Sequence, residues 1–227
     1  MTFTSAIGSF FGKILSGLVK LLALTRIHPN VFTCLGLVIN AAGAWLLSMG
    51  LFTQAGIVIV FAAVFDLVDG PIARHSGRVT RFGGFLDSVI DRYSDLILLM
   101  GMLVYYASIN RFGYIILTAT AMTGSVLVSY ARARSENEIP KCKVGFLERP
   151  ERIVLLTIGS LTHRMAPVLW VIAVLSNWTV IQRILFTWKE TERLGQQPAP
   201  KPDALAAGAA SAGADAPRKL QQGYRSA

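Results

Sequence analysis

The sequence predicts an all-α integral membrane protein, with six transmembrane helices preceded by an N-terminal interfacial amphipathic helix. Of the 227 residues, 53% are hydrophobic and only 15% are charged, whereas soluble domains carry about 25% charged residues. The apolar residues gather into runs, and a run of about 20 is enough to cross a bilayer. The basic residues behind the net charge of +9 lie mostly between these runs. That distribution is typical of membrane proteins, so we expect a lipid bilayer and no nucleic acid as partner.

The N-terminal segment, residues 3–24, has apolar positions at helical spacing. Lys13 and Lys20 are seven residues apart in this segment and share one face of the helix. A helix with an apolar face and a basic face lies in the plane of the membrane interface. A break at Pro29 then separates it from the first span.

Six apolar segments follow, and each is predicted to be a membrane span. They cover residues 31–49, 54–74, 83–108, 114–131, 152–162 and 166–188, with the fifth helix expected to begin near Glu148. The tail from residue 195 is rich in Ala, Pro, Gly and Gln and has too few large apolar residues to bury a core. We therefore expect one membrane domain over residues 1–194 and a disordered cytoplasmic tail over residues 195–227.

The basic residues predict the orientation of the spans. With the N-terminus inside, the inner side receives the arginines of residues 74–81, the cluster of residues 132–152 and the tail. The outer side then receives only Arg111 and Arg164. Because Lys and Arg are in excess on cytoplasmic loops, we expect a protein of the cytoplasmic membrane with both termini in the cytosol and with the segments around residues 66–91 and 132–152 facing the cytosol.

Five of the 13 acidic residues lie between positions 66 and 95, at the ends of apolar helices. Asp66 and Asp69 are spaced i,i+3, and Asp87 and Asp91 are spaced i,i+4, so each pair lies on one helix face. The loop between these helices is short, which predicts antiparallel neighbours and four converging carboxylates. Charge is costly inside a membrane, so such residues are functional candidates. Asp95 continues the second face at greater depth, and its role stays open between function and structure.

Four adjacent carboxylates repel one another unless a cation lies among them. Mg²⁺ prefers oxygen ligands, and two such ions in this cluster would suit a displacement at phosphorus. Small residues nearby, such as Gly70, Ala73 and Gly84, would let a phosphate approach the backbone, although close helix packing explains them equally well. Salt bridges to neighbouring arginines at the membrane surface are the alternative to metal binding.

The aspartates belong to a longer pattern with fixed spacing. It reads Asp66-x-x-Asp69-Gly70-x-x-Ala73-Arg74, then eight residues, then Gly83-x-x-x-Asp87-x-x-x-Asp91. This pattern resembles the signature of the CDP-alcohol phosphotransferase family, with every fixed position filled. The plan of six spans behind an interfacial helix is similar to the family as well, so the resemblance covers about residues 5–190. It implies a homodimer formed through membrane helices.

The resemblance implies a reaction and its catalytic residues. The family moves a substituted phosphate from a CDP-linked donor to an alcohol and releases CMP, which implies CDP-diacylglycerol as donor, with an ester or an ether lipid. The implied cofactor is Mg²⁺, as two ions, with Mn²⁺ as the alternative. The implied metal ligands are Asp66, Asp69, Asp87 and Asp91. Asp91 also matches the family's catalytic base, which takes the proton of the attacking hydroxyl.

A second set of residues matches positions that surround the CDP moiety in the family. They are Asn30, Thr33, Asp69, Gly70, Ala73, Arg74 and Gly83. Arg74 would donate charge-assisted hydrogen bonds to phosphate. The segment Pro29-Asn30-x-x-Thr33 has an equal alternative explanation, because Pro and Asn also begin helices.

The acceptor is predicted from the loop before the fifth span. Arg132, Arg134 and Arg152 are similar to basic positions of the bacterial phosphatidylinositol-phosphate synthase branch of the family, where such residues hold the acceptor's phosphate. Arginine suits bidentate binding of a phosphate dianion. The resemblance therefore implies inositol 1-phosphate, a phosphorylated polyol, as acceptor. Glycerol 3-phosphate or another polar alcohol stays open, and so does contact of these arginines with anionic lipid.

Two other kinds of protein share part of the pattern. An aspartate-rich membrane prenyltransferase also binds magnesium diphosphate, but its two motifs lie in distant spans and it has more helices. A cation transporter also uses membrane carboxylates, but such proteins often contain inverted repeats. No repeat is visible in this sequence, and its acidic residues cluster on the cytoplasmic side. Metal-dependent release of CMP distinguishes the three.

Overall fold

A computed structural model describes residues 29–75 and 80–195, without the side chains of residues 29, 67–70, 72–73 and 75. These ranges contain six α-helices and no strand, which confirms the all-helical prediction for them. The helices are α1 (Pro29–Ser48), α2 (Phe52–His75), α3 (Arg81–Ser108), α4 (Phe112–Glu138), α5 (Arg149–Leu161) and α6 (Met165–Gly195). The predicted interfacial helix, residues 3–24, and the predicted tail after its first residue, Gly195, lie outside the described residues.

Short turns with unusual backbone geometry connect several of the helices. Gly50, between α1 and α2, has a φ of 76°, a conformation that glycine adopts without strain. Asn110 follows α3 with a φ of 53°, and His163 follows α5 with a φ of 55°.

At the start of α3, the side chain of Thr80 accepts a 2.9 Å hydrogen bond from the backbone N–H of Gly83. Such a cap satisfies an amide that the helix itself leaves without a partner.

Helix α1 contacts both α2 and α3, and glycines allow this close approach. A Cβ at Gly43 of α1 would touch Ile59 of α2 and Leu98 of α3, and a Cβ at Gly101 of α3 would overlap the backbone carbonyl of Ala44. The sequence predicts that α2 and α3 are direct neighbours. In the described residues the dominant backbone contacts of both helices are with α1 instead, because its small residues admit them.

The apolar core is centred on the C-terminal half of α3. Leu98 and Met102 are fully buried there, and Leu47 of α1, Ile59 of α2 and Leu169 of α6 belong to the same cluster. Burial of such side chains stabilises the bundle through close packing. The aspartates lie outside this core, toward the N-terminal end of α3.

The described helices include three that are long and apolar enough to cross a membrane, Asn30–Ser48, Phe112–Glu138 and Met165–Gly195. Large apolar side chains such as those of Val38, Trp45 and Ile57 are exposed on the surface of the helix bundle, as expected for contact with lipid. Helix α5 has only 13 residues and is therefore about 20 Å long, shorter than the hydrocarbon core of about 30 Å. The fold is that of a membrane protein, and the count of six spans stays a prediction.

Backbone contacts divide the chain into two units, Met1–Thr187 and Trp188–Ala227. The site described below belongs to the first unit. In the second unit the described residues, 188–195, form the end of α6 and include a 2.9 Å ion pair between Arg193 and Glu190. The predicted domain boundary between residues 194 and 195 stays a prediction.

Candidate active site

An arginine at the start of α5 forms ion pairs with aspartates of α2 and α3. Arg149, the first residue of α5, lies with Nη2 2.6 Å from Oδ2 of Asp66 and with Nη1 3.0 Å from Oδ1 of Asp91. Its Nε lies 3.7 Å from Oδ1 of Asp95. One guanidinium group therefore joins carboxylates from two helices. Asp66 and Asp91, two of the aspartates that the sequence pattern singles out, thus pair with the same arginine.

Asp87 belongs to the same electrostatic group. It lies one helical turn before Asp91, is half-buried, and is close enough to repel both Asp66 and Asp91. Asp66 in turn lies against Gly36 of α1, where a Cβ would come within 2.7 Å of its Oδ1. Clustered carboxylates in a partly buried setting need positive charge beside them. Arg149 supplies one such charge.

The carboxylates suit a divalent metal by the chemistry of their donor atoms. Asp66 and Asp91 direct oxygens at one cationic group, and carboxylate oxygen is the ligand that Mg²⁺ prefers. Among the described side chains, no three acidic, histidine or cysteine residues form a metal cluster. The side chain of Asp69 is not one of those described. The set of four aspartate ligands therefore stays a prediction.

The residues matched to CDP lie at the start of α1, the end of α2 and the start of α3. A Cβ at Gly83 would come within 3.3 Å of Oδ1 of Asn30, so these two positions are adjacent. Thr33 is buried on α1, and Arg74 is exposed on α2. Only the helical backbone is described for the remaining three, Asp69, Gly70 and Ala73.

A cavity of about 160 Å³ opens beside the aspartates. The arginines that line it come from four helices and are Arg92, Arg132, Arg149, Arg152 and Arg183. Its acidic lining residues are Asp91, Asp95 and Glu148. Five cationic side chains against three acidic ones leave the lining with a surplus of positive charge. Such a lining suits a ligand that carries a phosphate group.

Arg152 borders this cavity but is itself only 2% exposed. Its Nε and Nη2 donate to Oδ2 of Asp95 over 3.1 and 2.5 Å, and its Nη1 donates to the carbonyl of Leu147 over 3.3 Å. Asp95 also approaches Arg149. Asp95, whose role is open from the sequence, therefore neutralises a buried arginine and connects the cavity to the aspartate cluster.

The two arginines of α4 lie in different surroundings. Arg132 borders the cavity and pairs with Glu136 and with Glu148, each at 3.2 Å. The side chain of Arg134 is 65% exposed and pairs with Glu138 at 3.7 Å. Positions i and i+2 diverge on a helix. Within the described part of the chain, the cavity lining includes Arg132 and Arg152 but not Arg134.

Sequence reasoning gave no role to three charged residues of this site, Glu148, Arg149 and Arg183. The sequence contains a signal for two of them, Arg149 and Arg183. Arg149 stands beside Pro150 at a helix N-terminus, where a positive charge opposes the helix dipole. Arg183 lies inside the predicted sixth span, where an ionisable side chain is a functional candidate by default.

These features define a helical membrane protein with a cluster of acidic residues beside a cavity suited to an anion. The chain belongs to the CDP-alcohol phosphatidyltransferase family, whose model matches residues 26–189. The resemblance given by the aspartate pattern is thereby confirmed. The protein is a transferase of phospholipid synthesis, as its family is, and the prediction that it is an enzyme is confirmed.

Named relatives cover most of the chain. Archaetidylinositol phosphate synthase of Pyrococcus horikoshii is 36% identical over 174 residues, which are 76% of this chain and 90% of the relative. Phosphatidylinositol phosphate synthase of Mycobacterium tuberculosis is 33% identical over 189 residues, which are 78% of this chain and 87% of the relative. Both are similar to this chain along nearly their whole length.

Two crystal structures of the Mycobacterium tuberculosis synthase share the fold. The structure with CDP-DAG bound has a TM-score of 0.71 and 31% identity, and the match covers 78% of this chain and 94% of that one. The structure in complex with manganese and citrate has a TM-score of 0.71 and 32% identity, over 77% of this chain and 88% of that one. The second of these structures thus contains a divalent metal, manganese.

Proposed function

We propose that the protein transfers a phosphatidyl group from CDP-diacylglycerol to inositol 1-phosphate and releases CMP. The observation that carries the choice of acceptor is the cavity beside Asp91, which five arginines line against three acidic residues. A phosphorylated polyol is a dianion, and several fixed cations are needed to hold it. An uncharged acceptor would not need this surplus of positive charge.

The relatives support the proposal. Both the Pyrococcus and the Mycobacterium relative are named as synthases of an inositol phosphate lipid, and the Mycobacterium enzyme has been crystallised with CDP-DAG. Their names differ in the lipid, which is archaetidyl in one and phosphatidyl in the other. The donor's lipid is therefore a variable of the test below.

In this proposal Asp66, Asp69, Asp87 and Asp91 hold two Mg²⁺ ions, with Mn²⁺ as the alternative. When bound by these carboxylates, a divalent metal would neutralise the negative charge of the donor's diphosphate. The CDP moiety lies among Asn30, Thr33, Asp69, Gly70, Ala73, Arg74 and Gly83. The exposure of Arg74 supports a role in contacting phosphate, because its guanidinium is accessible to a ligand.

Asp91 is the proposed general base. It lines the cavity, and Arg149 orients its carboxylate over 3.0 Å. Asp91 accepts the proton of the acceptor's hydroxyl while that oxygen attacks the phosphorus bonded to diacylglycerol. The bond from this phosphorus to the bridging oxygen of the diphosphate breaks, and CMP leaves. Arg132, Arg134 and Arg152 are the proposed contacts for the acceptor's phosphate, with the cavity favouring Arg132 and Arg152.

The proposed arrangement in the membrane has six spans behind an interfacial helix. Both termini and the active site face the cytosol, and two copies of the chain form a homodimer through their helices. The excess of Lys and Arg on the predicted inner segments supports this orientation. After Cys34 and Cys142 are replaced by serine, single cysteines introduced at either terminus should react with a membrane-impermeant thiol reagent only after the cells are opened.

The test of the function is release of CMP by the purified protein in liposomes. CDP-diacylglycerol and its ether-lipid counterpart would each be offered with Mg²⁺, and with inositol 1-phosphate, glycerol 3-phosphate, serine or free inositol as acceptor. The proposal expects CMP release with inositol 1-phosphate and not with free inositol. Release with glycerol 3-phosphate in its place would keep the reaction and reject the acceptor. Absence of release with every pair would reject the proposed substrates altogether.

A further inference from the structure

Glu148 joins two arginines that belong to different helices. It immediately precedes α5 and lines the cavity. Its Oε1 accepts a hydrogen bond from Nη2 of Arg183 on α6 over 2.8 Å and one from Nη1 of Arg132 on α4 over 3.2 Å. A single carboxylate oxygen therefore holds two guanidinium groups at one wall of the cavity.

Arg183 is the fixed end of this chain of contacts. It is 1% exposed. Its Nε donates to the carbonyl of Val144 over 2.9 Å and its Nη1 donates to the carbonyl of Val128 over 2.5 Å. Each branch of the guanidinium thus has a protein acceptor. A long side chain held at three atoms loses rotational freedom, so Glu148 pairs with a buried arginine whose orientation is restrained.

Arg132 is the partly exposed end of this chain of contacts. Its side chain is 43% exposed, and both of its recorded partners are glutamates, Glu136 and Glu148. Both glutamates are partly exposed, 39% for Glu136 and 43% for Glu148, but Glu136 is an i,i+4 partner on the same helix, and such pairs restrain an arginine only weakly. Glu148 reaches Arg132 from a different element and at the cavity. Within the described residues, Glu148 is therefore the partner that ties Arg132 to the rest of the fold.

We propose that Glu148 is a positioning residue. Its carboxylate is held by the buried Arg183 and in turn orients the Arg132 guanidinium to bind the phosphate of the acceptor. The inference rests on the proposed function, because it assumes that the acceptor is anionic. Ordering a flexible arginine before the ligand arrives removes part of the entropy cost of binding.

The negative charge of Glu148 is compatible with an anion site. Two guanidinium groups lie within 3.2 Å of one carboxylate, so the trio keeps a net positive charge. Replacing Glu148 by glutamine removes the counter-ion of a buried arginine and releases Arg132. Loss of this orientation would weaken acceptor binding even though the lining becomes more positive.

The test uses two variants that each remove one carboxylate from Arg132. Glu148→Gln is compared with Glu136→Gln, the matched control, which loses an exposed partner on the same helix. The KM for inositol 1-phosphate should rise roughly tenfold in E148Q, a change worth about 1.4 kcal/mol, with kcat nearly unchanged. E136Q should stay within about twofold of the unmodified enzyme. Glu148→Asp, which retains the charge, should recover part of the loss.

A double-mutant cycle separates positioning from a general loss of structure. If Glu148 acts through Arg132, the variant with both Glu148→Gln and Arg132→Gln should have the same KM as Arg132→Gln alone. Fully additive changes in KM, or a KM in E148Q equal to or below that of E136Q, would overturn the inference.

A binding measurement distinguishes failure of this inference from failure of the proposed function. The increase in thermal midpoint that inositol 1-phosphate or inorganic phosphate produces should be smaller in E148Q than in E136Q, and this readout needs no turnover. Equal increases in both variants would overturn the inference even if no acceptor supports activity. CMP release only with uncharged acceptors would instead reject the proposed function, and the inference with it.

Discussion

The two halves of α3 differ in the side chains that they place inside the bundle. The C-terminal half carries Leu98 and Met102, which are fully buried in the apolar core. The N-terminal half carries Asp87, Asp91 and Asp95, and two of these aspartates pair with arginines at the start of α5. One helix thus serves as a packing element at one end and as a support for charged groups at the other.

The difference shows where tolerance to mutation should lie. At the apolar end, glycines allow the helices to approach closely, so a larger side chain there should lower the stability of the fold. At the charged end a cavity of about 160 Å³ can accommodate a change in side-chain volume. There, loss of a charge or a change in its orientation should impair the function of the site. Substitutions at the first end should change stability, and substitutions at the second should change activity.

The largest effect is expected for Asp91→Asn at the charged end. The variant keeps the shape of the side chain but cannot accept the hydroxyl proton, so kcat should fall about 1,000-fold. CMP release from purified protein measures the change. The thermal midpoint should stay close to that of the unmodified protein, because Arg149 keeps its 2.6 Å pair with Asp66. A well-folded D91N enzyme with normal kcat would remove Asp91 from the role of base.

The next largest effect is expected for Arg149→Gln. The substitution leaves the carboxylates of Asp66 and Asp91 without the guanidinium that joins them. We expect kcat/KM to fall roughly 100-fold. Arg149→Lys keeps the charge but not the fork of donors, so its activity should lie between the two. If R149Q and R149K both retained full activity, Arg149 would have no part in organising the site.

At the apolar end, Gly101→Val should lower stability and spare chemistry. The new Cβ would overlap the backbone carbonyl of Ala44, and such overpacking costs about 1–3 kcal/mol in the free energy of unfolding. Gly113→Val is the matched control, because a Cβ at Gly113 meets nothing within 4 Å. The thermal midpoint should fall for G101V and much less for G113V, while kcat per folded molecule is retained. Equal midpoints in the two variants would contradict the packing account.

The smallest effect is expected for Arg134→Gln. Arg134 pairs with Glu138 in an exposed i,i+4 contact, and such contacts contribute little. The KM for the acceptor should change less than about twofold, whereas Arg132→Gln should raise it at least about tenfold, because Glu148→Gln acts through Arg132. A larger rise in R134Q than in R132Q would show that the acceptor binds outside the cavity.

Local spacing accounts for what the sequence predicted well. Helical periodicity predicted the helices, and the i,i+4 spacing placed Asp87 and Asp91 on one face of α3. Contacts between distant segments were not accessible to this reasoning. Arg149 and Asp66 are 83 residues apart in the chain, so periodicity could not pair them. The i,i+2 spacing of Arg132 and Arg134 predicts that they lie on different helix faces, but which of them borders the cavity depends on what packs against the helix.

The central claim is the transfer of a phosphatidyl group from a CDP-linked lipid to a phosphorylated polyol. Mass spectrometry of the lipids formed from CDP-diacylglycerol and inositol 1-phosphate tests it most directly, with and without a metal chelator. The account predicts phosphatidylinositol phosphate in equal amount to CMP, and neither product once the metal is removed. Release of CMP without the inositol lipid, or formation of that lipid in the presence of the chelator, would contradict it.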